Sequence, residues 1–217
     1  TMPGVDIRGD KVLTESERDE FLTHEMTLEE KVDGANLGFS FDADANIRAQ
    51  NRGAYLHLPA SGQWKGLGEW LAIHTDTLFE HLTDRYILFG EWCYARHTIY
   101  YGRLPDWFLG FDIYDRKAGR FLATARRDRM IAQMNISKVP AIATGRFTYP
   151  EIIEFLSQSA LTDQPAEGIY LRIDLGDWLE QRAKLVRPTF IQAVEQHWSR
   201  SAIVPNRLVT RHEDEGR

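Results

Sequence analysis

The chain has 217 residues, of which 43% are hydrophobic and 12% aromatic, and its formal net charge at pH 7 is −6. This is enough to bury the core of one large domain, and there is no low-complexity tract. The single cysteine, Cys93, excludes a disulfide framework and favours a reducing, cytoplasmic compartment. No apolar run approaches the roughly 20 residues of a membrane span, and the N-terminus lacks the basic and apolar regions of a secretory signal.

The acidic excess lies in residues 1–30, which hold nine Asp or Glu and three Lys or Arg, whereas the rest of the chain holds 23 of each. A neutral body can still carry a basic face, and residues 116–129 and 182–188 are rich in Arg and Lys. Net charge therefore does not exclude nucleic acid as a partner. A solvated helix face explains 116–129 equally well.

The first predicted elements are a short helix and a set of strands. Thr14 and Glu17 fit a capping box, which predicts a helix over 15–24. Between residues 28 and 50, three strand-like runs are separated by Asp, Gly and Ala, and FDADANI reads as a hairpin turn. Largely apolar positions spaced three or four apart predict an amphipathic helix over 64–82.

The second half alternates strands and helices. Aromatic and β-branched runs predict central strands at 86–95 and 107–115. TARRDRMIAQM, TYPEIIEFL and TFIQAVEQHW predict helices, EGIYLRID and RAKLV predict strands, and the tail from about 200 has no clear period. We expect a single α+β domain over 1–217 with a core at about 27–190, in which mainly antiparallel strands have helices outside them.

Charged residues interrupt these apolar runs at five places: Lys31, Arg52, Glu91, Glu167 and Lys184. A charge buried at a strand centre without a partner costs several kcal/mol, so each must be paired or functional. Lysine and arginine hold phosphate oxygens, and carboxylates hold a hard divalent cation. Convergence of the five on one groove would make a phosphate and metal site.

The motif KVDGAN, which begins at Lys31, resembles the Lys-x-Asp-Gly nucleophile motif of the covalent nucleotidyltransferases, the superfamily of polynucleotide ligases and mRNA-capping enzymes. Further segments are similar to the superfamily's later motifs and follow in its order over about 29–188: QNRGAY, LFGEW, FLGFDIYD, AEGIYLR and RAKLVRP. The residues in these motifs are most similar to those of the RNA ligase branch related to phage RNA ligase 2. The resemblance implies the ATP-grasp-like nucleotidyltransferase fold, with antiparallel sheets flanked by helices and a nucleotide pocket between them.

The same resemblance implies an ATP-dependent RNA ligase acting in RNA repair or end-joining. Lys31 would attack the α-phosphate of ATP to form lysyl-AMP, and the AMP would pass to a 5′-phosphate that a 3′-hydroxyl then seals. Attack needs a neutral amine, although free lysine titrates at about 10.4. Desolvation and neighbouring cations, such as a metal ion and Lys184, are expected to lower that pKa.

The family's other functional residues carry over motif by motif. Lys184 would share the catalytic role of Lys31 and stabilise the α-phosphate, while Phe111 would stack on adenine with Phe108 and Tyr114 as rivals. The cofactors would be ATP and Mg²⁺ or Mn²⁺, with the metal at Glu91 and Glu167. The nucleotide contacts implied are Lys31, Asp33, Arg52, Glu91, Phe111, Lys184 and Arg187.

The sequence departs from the family in two ways. Many members have a second lysine in the fifth motif where this chain has Val186, and Arg187 points to the opposite face of an ideal strand. Only 33 residues follow Lys184, so we expect no appended OB domain. The core, a partner chain or missing parts would then bind the nucleic acid.

The expected partners are RNA ends, in a nicked duplex or free, with an end-processing kinase or phosphatase and no membrane. The alternatives are a DNA ligase, which motifs that read only the nucleotide do not exclude, and a catalytically idle or partner-dependent nucleic-acid-binding module with the same fold. Discrimination for RNA depends on contacts to the 2′-hydroxyl.

Overall fold

The computed structural model describes residues 11–52, 54–187 and 203–209. The helices in these ranges are α1 (Glu15–Leu22), α2 (Leu67–Leu82), α3 (Thr124–Gln133) and α4 (Tyr149–Phe155), with a 3-10 turn at Gly62–Trp64. The strands are β1 (Met26–Lys31), β2 (Ala35–Phe41), β3 (Ile47–Gln50), β4 (Tyr86–Trp92), β5 (Phe108–Asp115), β6 (Arg120–Phe121), β7 (Ala141–Gly145), β8 (Gly168–Leu175) and β9 (Trp178–Val186).

Within the described residues, the strands form two sheets in which every named pair is antiparallel. One sheet has the order β7-β1-β8-β9 and the other the order β3-β2-β4-β5-β6. The α+β class predicted from the sequence is therefore confirmed. Strand β1, which ends at Lys31, is an inner strand of the first sheet.

Helices cover one face of each sheet. Phe21 from α1 and Ile152 from α4 pack with Leu28 of β1 in the apolar cluster of the four-stranded sheet. The five-stranded sheet packs against α2 and α3, and this larger cluster includes the fully buried Leu78 and Phe39. Residues that alternate along the strands face away from these clusters, which leaves the other face of β1, β8 and β9 for polar side chains.

Most of the predicted helix starts are confirmed. Thr14 and Glu17 form a capping box at α1, and Thr148 and Glu151 form another at α4. Helix α2 begins later than predicted, because Gly66 adopts a left-handed conformation with φ of 81°. Strand β7 was not predicted, since it is an edge strand with no fully buried residue and so lacks an alternating apolar pattern. The helix predicted at 189–198 lies outside the described residues.

Residues 203–209, in the part of the tail where the sequence has no clear period, pair with the rest of the chain through isolated bridges. Pro205 forms an isolated β-bridge with Ala95, and Leu208 forms one with Leu104. The side chain of Asn206 between them is buried, with 5% of its surface exposed. Asn206 forms hydrogen bonds with Tyr101 and Cys93, which lie about a hundred residues away along the chain. Contacts between such distant residues leave no repeating apolar pattern in the sequence.

None of the described helices is long and apolar enough to cross a membrane.

Candidate active site

A cavity of about 420 Å³ lies between the two sheets. Its volume is in the range of pockets that hold small molecules and cofactors, about 300–1,000 Å³. Both sheets contribute to its walls, which combine cations, carboxylates and aromatic rings. The lining residues are Lys11, Glu29, Asn36, Arg52, Phe89, Phe111, Asp112, Phe121, Tyr170, Arg172, Arg182, Ala183 and Lys184.

Lys31 lies at the end of β1, two residues after Glu29 and therefore on the same side of the strand. Its ammonium group donates to the Glu167 carboxylate. Burial alone would lower the pKa of Lys31, but the negative charge of Glu167, with contributions from Tyr170 and Glu91, outweighs burial and raises it. Without the metal ion that the expected lowering invoked, this pKa is instead raised, because the groups nearest the amine are acidic.

Close strand packing brings Glu167 to Lys31. Lys31 is paired in register with Gly168, which directly follows Glu167. A Cβ atom at Gly168 would lie 2.4 Å from the carbonyl oxygen of Leu185 on β9, so only glycine permits this approach of β8 and β9. Gly168 thus allows the strand that begins directly after Glu167 to pack closely on β9.

The turn after Lys31 is held by Asp33 and Gly34. The Asp33 carboxylate accepts hydrogen bonds from the Thr98 and Ile99 amides at 2.7 and 3.0 Å. A Cβ atom at Gly34 would lie 2.7 Å from the carbonyl oxygen of Trp92, so the turn presses directly against β4. Asp33 is 9% exposed and is not among the residues that line the cavity. Its carboxylate is used to fix the path of the chain.

Glu91 lies beside this turn and accepts a hydrogen bond from the Gly34 amide at 3.1 Å. Burial raises the pKa of Glu91 to about 8, with Lys31 opposing and Glu167 adding to the shift. Burial also raises the pKa of Glu167 to about 7, although Lys31 opposes it. Two carboxyl groups with raised pKa values thus lie near one ammonium group.

These carboxylates fit a divalent cation. Glu167 Oε2 is buried and has no hydrogen-bond partner among the described residues, and an unpaired buried oxygen is costly unless a ligand satisfies it. No group of three or more His, Cys, Asp or Glu in the described ranges is arranged to hold a metal. Magnesium in phosphate-transfer sites is bound by one or two carboxylates together with substrate phosphates, so two suffice.

Two of the predicted phosphate-binding residues, Arg52 and Lys184, line the cavity. Lys184 is half-buried on β9 and is paired in register with Tyr170. Arg187 is not among the lining residues. Its guanidinium donates to the carbonyl oxygens of Ala166 at 2.5 Å and Pro165 at 3.1 Å, and it therefore secures the loop that leads into Glu167.

Phe111 also lines the cavity, and its ring lies near that of Tyr170, with centroids 6.5 Å apart and planes inclined by 28°. The rival Phe108 is fully buried in the core of the second sheet, and Tyr114 packs on Phe121. Among the three, only Phe111 is a cavity-lining residue. Tyr170 was not singled out from the sequence, although it lies within the fourth motif, AEGIYLR, and lines the cavity.

Ion pairs form part of the cavity wall and join the two sheets. Asp112 of β5 accepts from Arg172 of β8 at 2.5 Å and from Arg182 of β9 at 2.8 Å. Arg172 also lies 3.7 Å from Glu29. Sequence reasoning missed these residues, although Arg182 could have been found, since it precedes Lys184 by two positions and so shares its face of the strand.

The architecture is the nucleotidyltransferase fold, as comparison with solved structures shows. A Naegleria gruberi RNA ligase with pyrophosphate matches with a TM-score of 0.62 and 19% identity over 82% of this chain and 54% of that chain. A variant of that ligase with ATP and manganese has a TM-score of 0.61 and 15% identity, again over 82% and 54%. Another variant with AMP and manganese has a TM-score of 0.61 and 18% identity, over 82% and 53%.

The chain belongs to the RNA ligase family, because the profile of that family, described as RNA ligase, matches residues 24–186. The matched range begins before β1 and ends with β9, so it contains Lys31, Glu91, Glu167 and Lys184. No curated protein sequence matches the chain significantly. The chain spans about half the length of the Naegleria ligase structures that it resembles.

Proposed function

We propose that this protein is an ATP-dependent RNA ligase that forms a lysyl-AMP intermediate on Lys31. The observation that carries the proposal is the contact of Lys31 with Glu167 beside a nucleotide-sized cavity that Arg52 and Lys184 line. Family membership supports the ligase class, and solved relatives with ATP and manganese support these two cofactors. The fold alone would not favour a reaction, since one fold serves many functions.

In the first step, Lys31 Nζ forms a bond to the α-phosphorus of ATP while the bond from that phosphorus to the bridging oxygen breaks and pyrophosphate leaves. The amine is nucleophilic only after the ammonium group has lost a proton, which is released to solvent. Because the Glu167 carboxylate raises the pKa of Lys31 in the ligand-free protein, the ion pair must separate before attack. The nucleophile is therefore held inactive by its own neighbour until substrates bind.

Arg52 and Lys184 bind the phosphates and offset the negative charge that grows on the leaving oxygen. Glu167 and Glu91 would hold a magnesium or manganese ion, which when bound neutralises charge on the polyphosphate. Phe111 and Tyr170 contact the adenine, and stacking on one aromatic ring contributes about 1–3 kcal/mol per base. These assignments leave out two of the charged residues predicted to contact the nucleotide. Asp33 fixes the turn after Lys31, and Arg187 acts through the loop before Glu167.

In the later steps, AMP passes from Lys31 to the 5′-phosphate of a polynucleotide, and a 3′-hydroxyl displaces AMP to form the phosphodiester. We infer RNA as the polynucleotide from the family to which the chain belongs. A role in RNA repair or end-joining follows from this chemistry, since the substrates are broken ends with a 5′-phosphate and a 3′-hydroxyl.

The decisive experiment incubates the protein with manganese or magnesium and ATP labelled at the α-phosphate. We expect labelled protein, no label in Lys31→Ala, and no label from GTP labelled in the same way. Sealing of nicked duplexes that carry RNA or DNA at the 3′-hydroxyl side would then identify the polynucleotide. Absence of label with every divalent metal would exclude the proposed reaction, and label that persists in Lys31→Ala would exclude the proposed nucleophile.

A further inference from the structure

Residues 203–209 lie against the long connection between β4 and β5. Along the chain, these seven residues come after the last sequence motif, RAKLVRP. The Asn206 side chain enters this contact and is 5% exposed. Its Oδ1 accepts a hydrogen bond from the Tyr101 amide at 2.9 Å, and its Nδ2 donates to the carbonyl oxygens of Cys93 at 2.8 Å and Ala95 at 3.3 Å. One side chain thus joins the start of the connection to its middle.

Backbone hydrogen bonds on either side of Asn206 follow the same pattern. The Asn206 amide donates to Tyr94 and the Arg207 amide to Tyr101, at 2.8 and 2.9 Å. The Arg96 amide donates to Val204 at 2.8 Å. The 203–209 segment therefore pins residues 93–96 and residue 101 together, with Asn206 buried between them.

The part of the connection between these two points holds the turn after Lys31. The Thr98 and Ile99 amides both donate to Asp33 Oδ2, and the Asp33 amide donates to the Tyr101 hydroxyl at 2.8 Å. Asp33 is two residues after Lys31. A continuous set of hydrogen bonds therefore runs from Asn206 through residues 98–101 to the turn that carries the nucleophile.

We propose that Asn206 is a positioning residue for Lys31, a role that rests on the proposed lysyl-AMP reaction. Removal of the Asn206 amide leaves the Tyr101 amide and the Cys93 carbonyl without their buried partner, and buried polar groups without a partner force local rearrangement. The connection between Cys93 and Tyr101 then no longer has a single conformation, and Asp33 loses its fixed donors. A displacement of about 1 Å at a reacting group can cost roughly 100-fold in rate.

The expected result is a selective loss of rate. In Asn206→Ala, the rate of lysyl-AMP formation at saturating ATP should fall about 10- to 100-fold, because Lys31 no longer lies in line with the α-phosphate. The ATP concentration for half-maximal rate should change less than about threefold, because the partners of the Asn206 side chain, Tyr101, Cys93 and Ala95, are not cavity-lining residues.

The experiment measures single-turnover labelling of the full chain, with Val204→Ala as the matched control. Val204 lies in the same segment, its side chain is 50% exposed, and it takes part in the contact through its backbone carbonyl. Leu78→Ala, a buried position of α2 in the core of the five-stranded sheet, controls for loss of stability. Tyr101→Phe removes the acceptor for the Asp33 amide without removing the ring, and it should slow labelling even if Asn206→Ala does not fold.

A second measurement does not require ATP. Amide hydrogen exchange at Thr98 and Ile99 should be at least about tenfold faster in Asn206→Ala than in Val204→Ala. Wild-type labelling rates in Asn206→Ala and Tyr101→Phe, or an equal loss in Leu78→Ala at matched thermal stability, would overturn the positioning role. Failure of the wild-type protein to label would refute the proposed function, and unchanged exchange at Thr98 and Ile99 would refute the structural link by itself.

Discussion

The Arg127 guanidinium forms a two-point ion pair with the Glu29 carboxylate, in which the side chains are 0% and 2% exposed. Arg127 Nη1 also donates to the Phe111 carbonyl at 2.7 Å. The pair joins α3 to β1 two residues before Lys31, and it shares Glu29 with the cavity wall. The position of Lys31 thus depends on an ion pair that has no role in the proposed reaction.

Loss of one partner from this pair should destabilise the fold strongly. Arg127→Met removes the two-point partner of the buried Glu29 and leaves it only the 3.7 Å contact with Arg172. Breaking a buried pair on one side costs about 3–5 kcal/mol. Denaturant unfolding measures the change. Arg129→Met, an exposed position on the same helix, should change the free energy of unfolding by less than about 0.5 kcal/mol. The double variant Arg127→Met with Glu29→Leu should recover part of the loss, and no recovery would contradict the unpaired-charge explanation.

Phe111→Leu should weaken ATP binding, because it removes the aromatic face but keeps an apolar side chain. We expect about a 10-fold rise in the dissociation constant, within the 1–3 kcal/mol range of base stacking. Equilibrium binding to the Lys31→Ala background measures it without turnover. Tyr114→Leu is the control, since its ring packs on Phe121 and not on Tyr170. Equal weakening in both variants would reject Phe111 as the base contact.

Glu167→Gln should raise the manganese concentration needed for half-maximal labelling by roughly 10- to 100-fold, and Glu91→Gln should act in the same direction. The physical reason is the loss of a carboxylate charge where Glu167 Oε2 has no hydrogen-bond partner among the described residues. Titration of the labelling rate with metal measures the effect, and EDTA should abolish labelling. Glu154→Gln, an exposed position on α4, should leave the titration unchanged.

A methyl group at Gly34 should disturb the turn after Lys31. In Gly34→Ala the new Cβ would meet the Trp92 carbonyl oxygen at 2.7 Å and Glu91 Cγ at 2.9 Å. We expect a loss of about 1–3 kcal/mol in stability and slower labelling. Gly68→Ala is the matched control, because nothing lies within 4 Å of its Cβ position in α2. That variant should gain about 0.4–1 kcal/mol by restricting the unfolded chain.

Lys184→Ala and Arg187→Ala should have different consequences. Lys184 lines the cavity, and its loss should lower the labelling rate at saturating ATP by about 100- to 1,000-fold. Arg187 secures the Ala166 and Pro165 carbonyls, so its loss should mainly raise the metal concentration required, through Glu167. Metal titrations at saturating ATP separate the two effects. Equal loss of rate in both variants, with unchanged metal dependence, would instead make Arg187 the second phosphate-binding cation.

The motifs could be predicted from the sequence because they are short and follow a known order along the chain. Arg52, Phe111 and Lys184 line the cavity as expected, whereas Asp33 and Arg187 do not. The burial of Arg127 could not be predicted, since this residue lies in TARRDR, where adjacent arginines indicate a solvated helix face. In the structure Arg129 is exposed whereas Arg127 is fully buried. The difference depends on which side of α3 packs against β5, and this is set by the tertiary structure and not by the local sequence.

The pKa of Lys31 shows a second limit of sequence reasoning. Desolvation by burial was predicted with the correct sign, but the sign of the total depends on which charges lie nearest. Glu167 is 136 residues away along the chain and in contact in space. Asn206 was missed for the same reason, because its partners are fixed by packing and not by any local pattern.

Glu29, Glu30 and Lys31 place three consecutive charges in an inner strand, and each has a different partner. Glu30 faces the other side of β1, where it accepts from Ser159 at 2.5 Å and from the Ala160 amide at 3.0 Å. During folding, a shift of β1 by one residue would exchange the two faces of the strand and separate all three charges from their partners. A misfolded state with a shifted β1 is therefore destabilised because all three charges lose their partners. The native register of β1 places Lys31 beside Glu167 as soon as the strand pairs with β8.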